Sequence, residues 1–126
     1  MGARHDFQDE TTDLISTGKV SGTDVYNTEG EHIGFISDVM IDKQTGKIAY
    51  AVLTFGAVLG LGGDHHPVPW AALKYDTRQG GYVTGVTIQQ LEDAPPWPDE
   101  QMAFEPRRAA EQRLHGHYGL QGYWAV

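Results

Sequence analysis

"HIGFISDVMIDKQTGKIAYAVLTF", residues 32–55, decides the fold. Two β-rich runs flank D-K-Q-T-G, in which Gly46 is free to take a positive φ at the end of a tight hairpin loop. In the first run, alternation puts Ile33, Phe35, Val39 and Ile41 on one face, with Ser37 as the polar exception. Gly34, Ile36, Asp38 and Met40 fall on the other. The second run, continuing to Gly60, is rich in Val, Ile, Tyr, Phe and Thr and apolar on both faces. It reads as a central strand of a closed or sandwiched sheet.

The flanking segments repeat this grammar. "KVSGTDVYN" (19–27) is a short strand candidate, and Asn27 and Gly30 stand at the first and fourth positions of a type I turn. "HHPVPWAALKYD" (65–76) and "GGYVTGV" (80–86) pair around the "TRQGG" turn. Strands at this spacing, joined by turns and not by helices, predict an antiparallel barrel or sandwich. One short helix interrupts them. Thr87 and Gln90 form a capping box, Val86 and Leu91 a hydrophobic staple, and Pro95 ends the segment. A proline-rich connector follows, then a second helix over 106–118 with Pro106 near its first turn and Gly119 ending it. The chain divides into a polar, flexible lead (1–13), a barrel domain (14–95) and a connector, helix and aromatic tail (96–126).

The 126 residues suffice for one domain with a single modest core. With no cysteine, disulfides, thiolate metal sites and cysteine nucleophiles are excluded. A formal net charge of −8 argues against phosphate-backbone binding, so no nucleic-acid partner is expected. No apolar run approaches a membrane span, and "MGARHDFQDE" lacks the apolar segment of a signal peptide. Asp6 stands where myristoylation wants Ser or Thr. A cytoplasmic location is expected.

"FGAVLGLGGDHHPVPW" (55–70) resembles a binding loop at first sight. Gly56, Gly60, Gly62 and Gly63 lack the following Lys and hydroxyl of a phosphate loop, and the dinucleotide glycine spacing is missing. Asp64, His65 and His66 are potential metal ligands, but adjacent residues on a strand point to opposite faces. His115 and His117 are two apart, a spacing that suits a strand better than a helix, and a composite site with His32 has no support. Exposed or hydrogen-bonded histidines are the expectation. Ser16, Ser21 and Ser37 lie outside any nucleophile elbow, and Asp38 and Asp42 are too far apart along a strand for a glycosidase pair. Asp38, unusual inside an apolar strand, reads as a hydrogen-bonded structural carboxylate. The glycines let a strand bend, and Pro67 and Pro69 bring it back along a sheet edge. No catalytic residue, cofactor or metal is expected.

Three segments together resemble the PRC-barrel family over roughly residues 14–95. They are D-V-Y-N-x-x-G-E-x-I-G from Asp24, D-x-x-T-G-K from Asp42 and P-W-x-x-L-x-Y-D from Pro69. The closing "HGHYGLQGYW" (115–124) is similar to the Y-G-x-x-x-Y-W tail of stand-alone bacterial members. The resemblance implies a mainly β fold, a small antiparallel barrel with one short helix and a helical, aromatic tail. The family includes the photosynthetic reaction centre H subunit and the C-terminal part of ribosome-maturation factors. This chain lacks the membrane helix of the one and the preceding domain of the other. The implied function is a non-enzymatic protein-interaction or assembly module. Alternatives are an RNA-processing or ribosome-linked factor, or small-molecule or metal binding through the histidine loop. Candidate contacts are Asp64, His65 and His66 in that loop and Tyr118, Tyr123 and Trp124 in the tail. A homodimer whose interface includes the tail is expected, the tail crossing to a second copy; the alternative is a tail folded back on its own barrel.

Overall fold

The structure, a computed structural model, describes residues 8–56, 65–95, 97 and 104–125. Six strands form one sheet: β1 (Asp24–Tyr26), β2 (His32–Ile41), β3 (Ile48–Phe55), β4 (His65–Val68), β5 (Leu73–Asp76) and β6 (Gly81–Thr84). Helices α1 (Thr17–Val20), α2 (Ile88–Glu92) and α3 (Phe104–His117) accompany them. The turns form where their residues demand. Gly30 N–H donates to the Asn27 carbonyl and Gly46 N–H to that of Asp42, with φ of +84° and +77°. The Asp42 carboxylate accepts Gln44 N–H at 2.8 Å and Thr45 N–H at 3.2 Å. Nothing lies within 4 Å of a Cβ built on Gly46, so only its backbone conformation resists substitution. Gly46→Val is expected to cost about 1–2 kcal/mol, the left-handed penalty, and Gly46→Asn much less, because Asn tolerates that region. Equal melting temperatures for the two variants would contradict the turn. On α2 the capping box is complete: Gln90 N–H donates to Thr87 Oγ1 and Thr87 N–H to Gln90 Oε1.

Strand order is β4-β3-β2-β1-β6-β5. Five spacings of about 4.8 Å would hold the edges of a flat sheet about 24 Å apart. Yet β4 and β5, the two edges, are joined only by Pro69 and a 3-10 turn, Trp70–Ala72. Five residue steps, from Val68 to Leu73, span at most about 18 Å even fully extended. The sheet must therefore curl into a half-barrel. The joint also corrects the expectation of a wholly antiparallel barrel. It is a bend without a reversal, so β5 continues in the sense of β4, and β6, returning against β5, lies parallel to β1.

A second correction concerns β2. Strict alternation sets Phe35, Val39 and Ile41 on one face and Ile36 on the other, yet Phe35 and Ile41 are 41% and 45% exposed, while Ile36 is wholly buried. Between Ile36 and Asp38 the ladder with β3 skips Ser37, a bulge that switches the inward phase. Ile36 and Val39, three apart, both reach the inner core. Ser37 is polar for a reason: its hydroxyl donates to the Val52 carbonyl and lies 3.0 Å from Thr54 Oγ1. Asp38 is exposed and accepts the N–H of Val39.

The two-faced character of β3 has a direct outcome. Ala51, Leu53 and Phe55 point into the barrel with Val25, Ile36 and Val68. Tyr50 and Val52 point outward, where Leu114 of α3 and Trp97 cover them. Leu91 of α2 and Val20 of α1 complete the inner core.

Candidate functional site

The outer face of β3 is where polar chemistry collects. On α3, Ala110, Glu111, Leu114 and His115 share the buried side, so a carboxylate and an imidazole go under with the apolar residues. Each is compensated. The Arg108 guanidinium Nε donates to Glu111 Oε1 at 3.2 Å. His115 Nδ1 lies 2.8 Å from the Glu111 carbonyl, and a carbonyl only accepts, so this nitrogen carries the hydrogen. His117 Nε2 likewise meets the Gln90 carbonyl at 2.6 Å, tying α3 to α2.

Gly119, at φ +68°, then reverses the chain. Its N–H donates to the Gly116 carbonyl and that of Leu120 to the His115 carbonyl, a Schellman close. The tail thus runs back over the helix. The Tyr123 hydroxyl reaches Glu111 Oε1 at 3.1 Å and Asp42 Oδ2 at 3.4 Å, and Lys47 Nζ reaches the Tyr123 carbonyl at 3.5 Å. The Arg108 guanidinium carbon lies 4.4 Å from the Trp124 ring centre and 5.6 Å from that of Tyr123, a cation–π pairing. A side chain on Gly122 would run into the Trp124 ring. Cavities of about 390 Å³ and 530 Å³ flank Tyr123, which lines both.

Local electrostatics follow from these contacts. The backbone N–H groups of Gln44 and Thr45, aided by the Tyr123 hydroxyl, hold Asp42 below the ordinary carboxylate range. Burial, with the Glu111 charge behind it, pushes Tyr123 up to about 12, and burial alone does the same to Tyr118. Folding raises both values above the ordinary 10, so their stabilising effect is complete below pH 10 and is lost as pH climbs to about 12. Titration at the phenolate absorption band should show Tyr118 and Tyr123 ionising late, beside the upward-shifted Tyr75 and Tyr82, with urea resistance falling over the same interval. A single native-state wave near pH 10 would contradict the packing of the tail.

The six expected contact residues do not form one site. Asp64 lies outside the described residues. His65 is exposed and pairs with Thr54, while His66 pairs with Leu53, so the two histidines project from opposite faces. His66 sets its ring against Phe55 and buries an Nε2 without a hydrogen-bond partner. Among the described residues no group of three His, Asp or Glu could hold a metal. Tyr118, Tyr123 and Trp124 do gather on the outer face, and Tyr118 buries an unpartnered hydroxyl there. The tail docks on its own barrel. Sequence reasoning missed Arg108 and Glu111 and weighed His115 only as a metal ligand, although Arg108, Leu114 and His115 stand three, three and four residues from Glu111, on its side of a helix.

A further cavity lies under the lead and shares Trp70 with the larger one beside Tyr123. Glu10 joins Lys19 at 2.7 Å and accepts the Tyr75 hydroxyl at 2.8 Å, pinning the lead over a space of about 300 Å³ floored by Trp70 and Tyr82. These two bonds hold Glu10 below the usual carboxylate range.

A search of curated proteins finds no match. Against family models, residues 13–89 match the PRC-barrel domain. That span, more than half the chain, runs from the lead through β6 into α2 and stops short of α3 and the tail. The chain belongs to the PRC-barrel domain family.

Proposed function

We propose that the protein is a non-enzymatic interaction module that holds a protein partner against the outer face of its barrel. The observation that carries this reading is where the empty space lies. Val25, Ile36, Leu53 and Val68 fill the inside at 0% exposure, whereas clefts of about 390 Å³ and 530 Å³ open outside, with Arg107, Trp70, Met40 and Tyr123 among their walls. Arg, Trp, Tyr and Met are the residue types enriched at protein interfaces. The net charge of −8 favours protein over nucleic acid as the partner, in the cytoplasm. A homodimer is the competing reading: two copies exchanging tails would repeat the same contacts across a closed dimer, and light scattering on the full-length protein decides between them. The test is co-purification of tagged full-length protein with and without nuclease. A protein captured in near-equal amount after nuclease treatment supports the proposal. Capture that nuclease abolishes transfers the function to the RNA- or ribosome-linked class.

A further inference from the structure

We infer that Tyr123 and Trp124 are a built-in stand-in for a partner's peptide, and that the groove they occupy takes in trans a segment presenting a tyrosine-like phenol beside a second large aromatic. This rests on the interaction-module reading and names the chemistry of its partner. The tail itself shows what the groove recognises. A phenol hydroxyl meets the Glu111 and Asp42 carboxylates, an indole lies on the Arg108 guanidinium, and a backbone carbonyl meets Lys47. Yet the tail fits loosely. The Asp42 and Lys47 contacts, at 3.4 and 3.5 Å, lie beyond good hydrogen-bond length. Clefts of about 390 Å³ and 530 Å³, open to solvent, lie against Tyr123 and give room for more bulk than the tail places there. The walls there include Met40, Ala49, Trp70 and Leu120, which reward apolar bulk. Of the tail itself only Leu120 adds apolar bulk there, and it already forms one wall; next to the aromatic pair stand the small Gly122 and Ala125.

The same facts choose a foreign segment over a second copy. A tethered tail competes at an effective concentration on the order of millimolar. Another copy's tail brings identical contacts and has no advantage over it. A segment that keeps the phenol and indole contacts and fills both flanks does. Gly119 and Gly122 provide the hinge that lets the resident tail leave.

The probe is a fluorescent peptide of residues 117–126, followed by anisotropy with the full-length chain. It should bind the Tyr123→Ala/Trp124→Ala variant at least tenfold more tightly than the wild type, whose groove is occupied. Adding Arg108→Met, or using a peptide with Phe in place of Tyr123, should weaken binding about tenfold. Trp124→Ala alone serves if circular dichroism shows the double variant unfolded. A folded variant that does not bind the peptide, or binding equal in variant and wild type, overturns the inference. So does a wild-type dimer that becomes monomeric in the double variant, because the occupant is then a second copy. The interaction-module reading fails separately: it survives a peptide failure if the double variant still co-purifies a nuclease-resistant partner, and falls if neither form captures one.

Discussion

Gly34→Ala is expected to cost about 3 kcal/mol, at the upper end of overpacking penalties, and so a large share of the 5–15 kcal/mol that holds a domain folded. Gly34 is buried in β2, paired to Val25 on one side and Phe55 on the other. A Cβ there would collide with the Thr54 carbonyl oxygen and lie 3.0 Å from Phe55 Cα and 3.1 Å from the Thr54 carbonyl carbon. All three are backbone atoms of a strand itself locked to β4, so no rotamer change relieves the contact. Gly81 is the companion case: its Cβ would stand 2.6 Å from the Asp24 carbonyl oxygen. Gly34 thus packs on the backbone of β3 and Gly81 on that of β1. Urea denaturation checks the claim. A Gly34→Ala midpoint within error of wild type would mean that β2 and β3 do not approach as closely as this.

Much of this barrel was legible in the sequence because its signals are local. Asn27–Gly30, Asp42–Gly46 and the Thr87–Gln90 box act over three or four residues, and each formed as read. The apolar character of both faces of β3, read as that of a central strand, has its outcome in two clusters, where a single core was expected. What escaped depends on distant pairings. The bulge at Ser37 exists because Val52 and Thr54 offer partners for its hydroxyl, and those residues are remote in sequence. The parallel β1–β6 pair follows from how far the Pro69–Ala72 joint can reach, a property of the curled sheet. The site was only half legible. The tail aromatics stood out by size, but Glu111 and Arg108 read as ordinary helix-surface charges until the returning tail covered them. The histidine loop drew attention by composition and delivered His65 and His66 to opposite faces.

Leu114→Ala is expected to destabilise the whole protein by about 3 kcal/mol, within the usual 2–5 for a buried leucine, and to lower the melting temperature by about 10 °C. Leu114 is fully buried between α3 and the outward residues Ala49 and Tyr50. The loss should not stay local. Tyr50 and Val52 alternate along β3 with Ala51 and Leu53, which belong to the inner core, so one backbone serves both clusters. Loosening the helix leaves β3 apolar and wet on its outer side while its inner side still packs, and strand and helix should give way together. Far-UV dichroism and tryptophan fluorescence, which reads Trp70 at the inner core together with Trp97 and Trp124 outside it, should therefore trace one transition at a lower temperature. Leu114→Met, which conserves volume, should cost less than about 1.5 kcal/mol. If fluorescence moves well ahead of the strand signal, α3 is a separable clasp on a self-sufficient barrel. If neither moves, the helix does not dock on β3, and the groove that its Arg108 and Glu111 build for the aromatic tail goes with it.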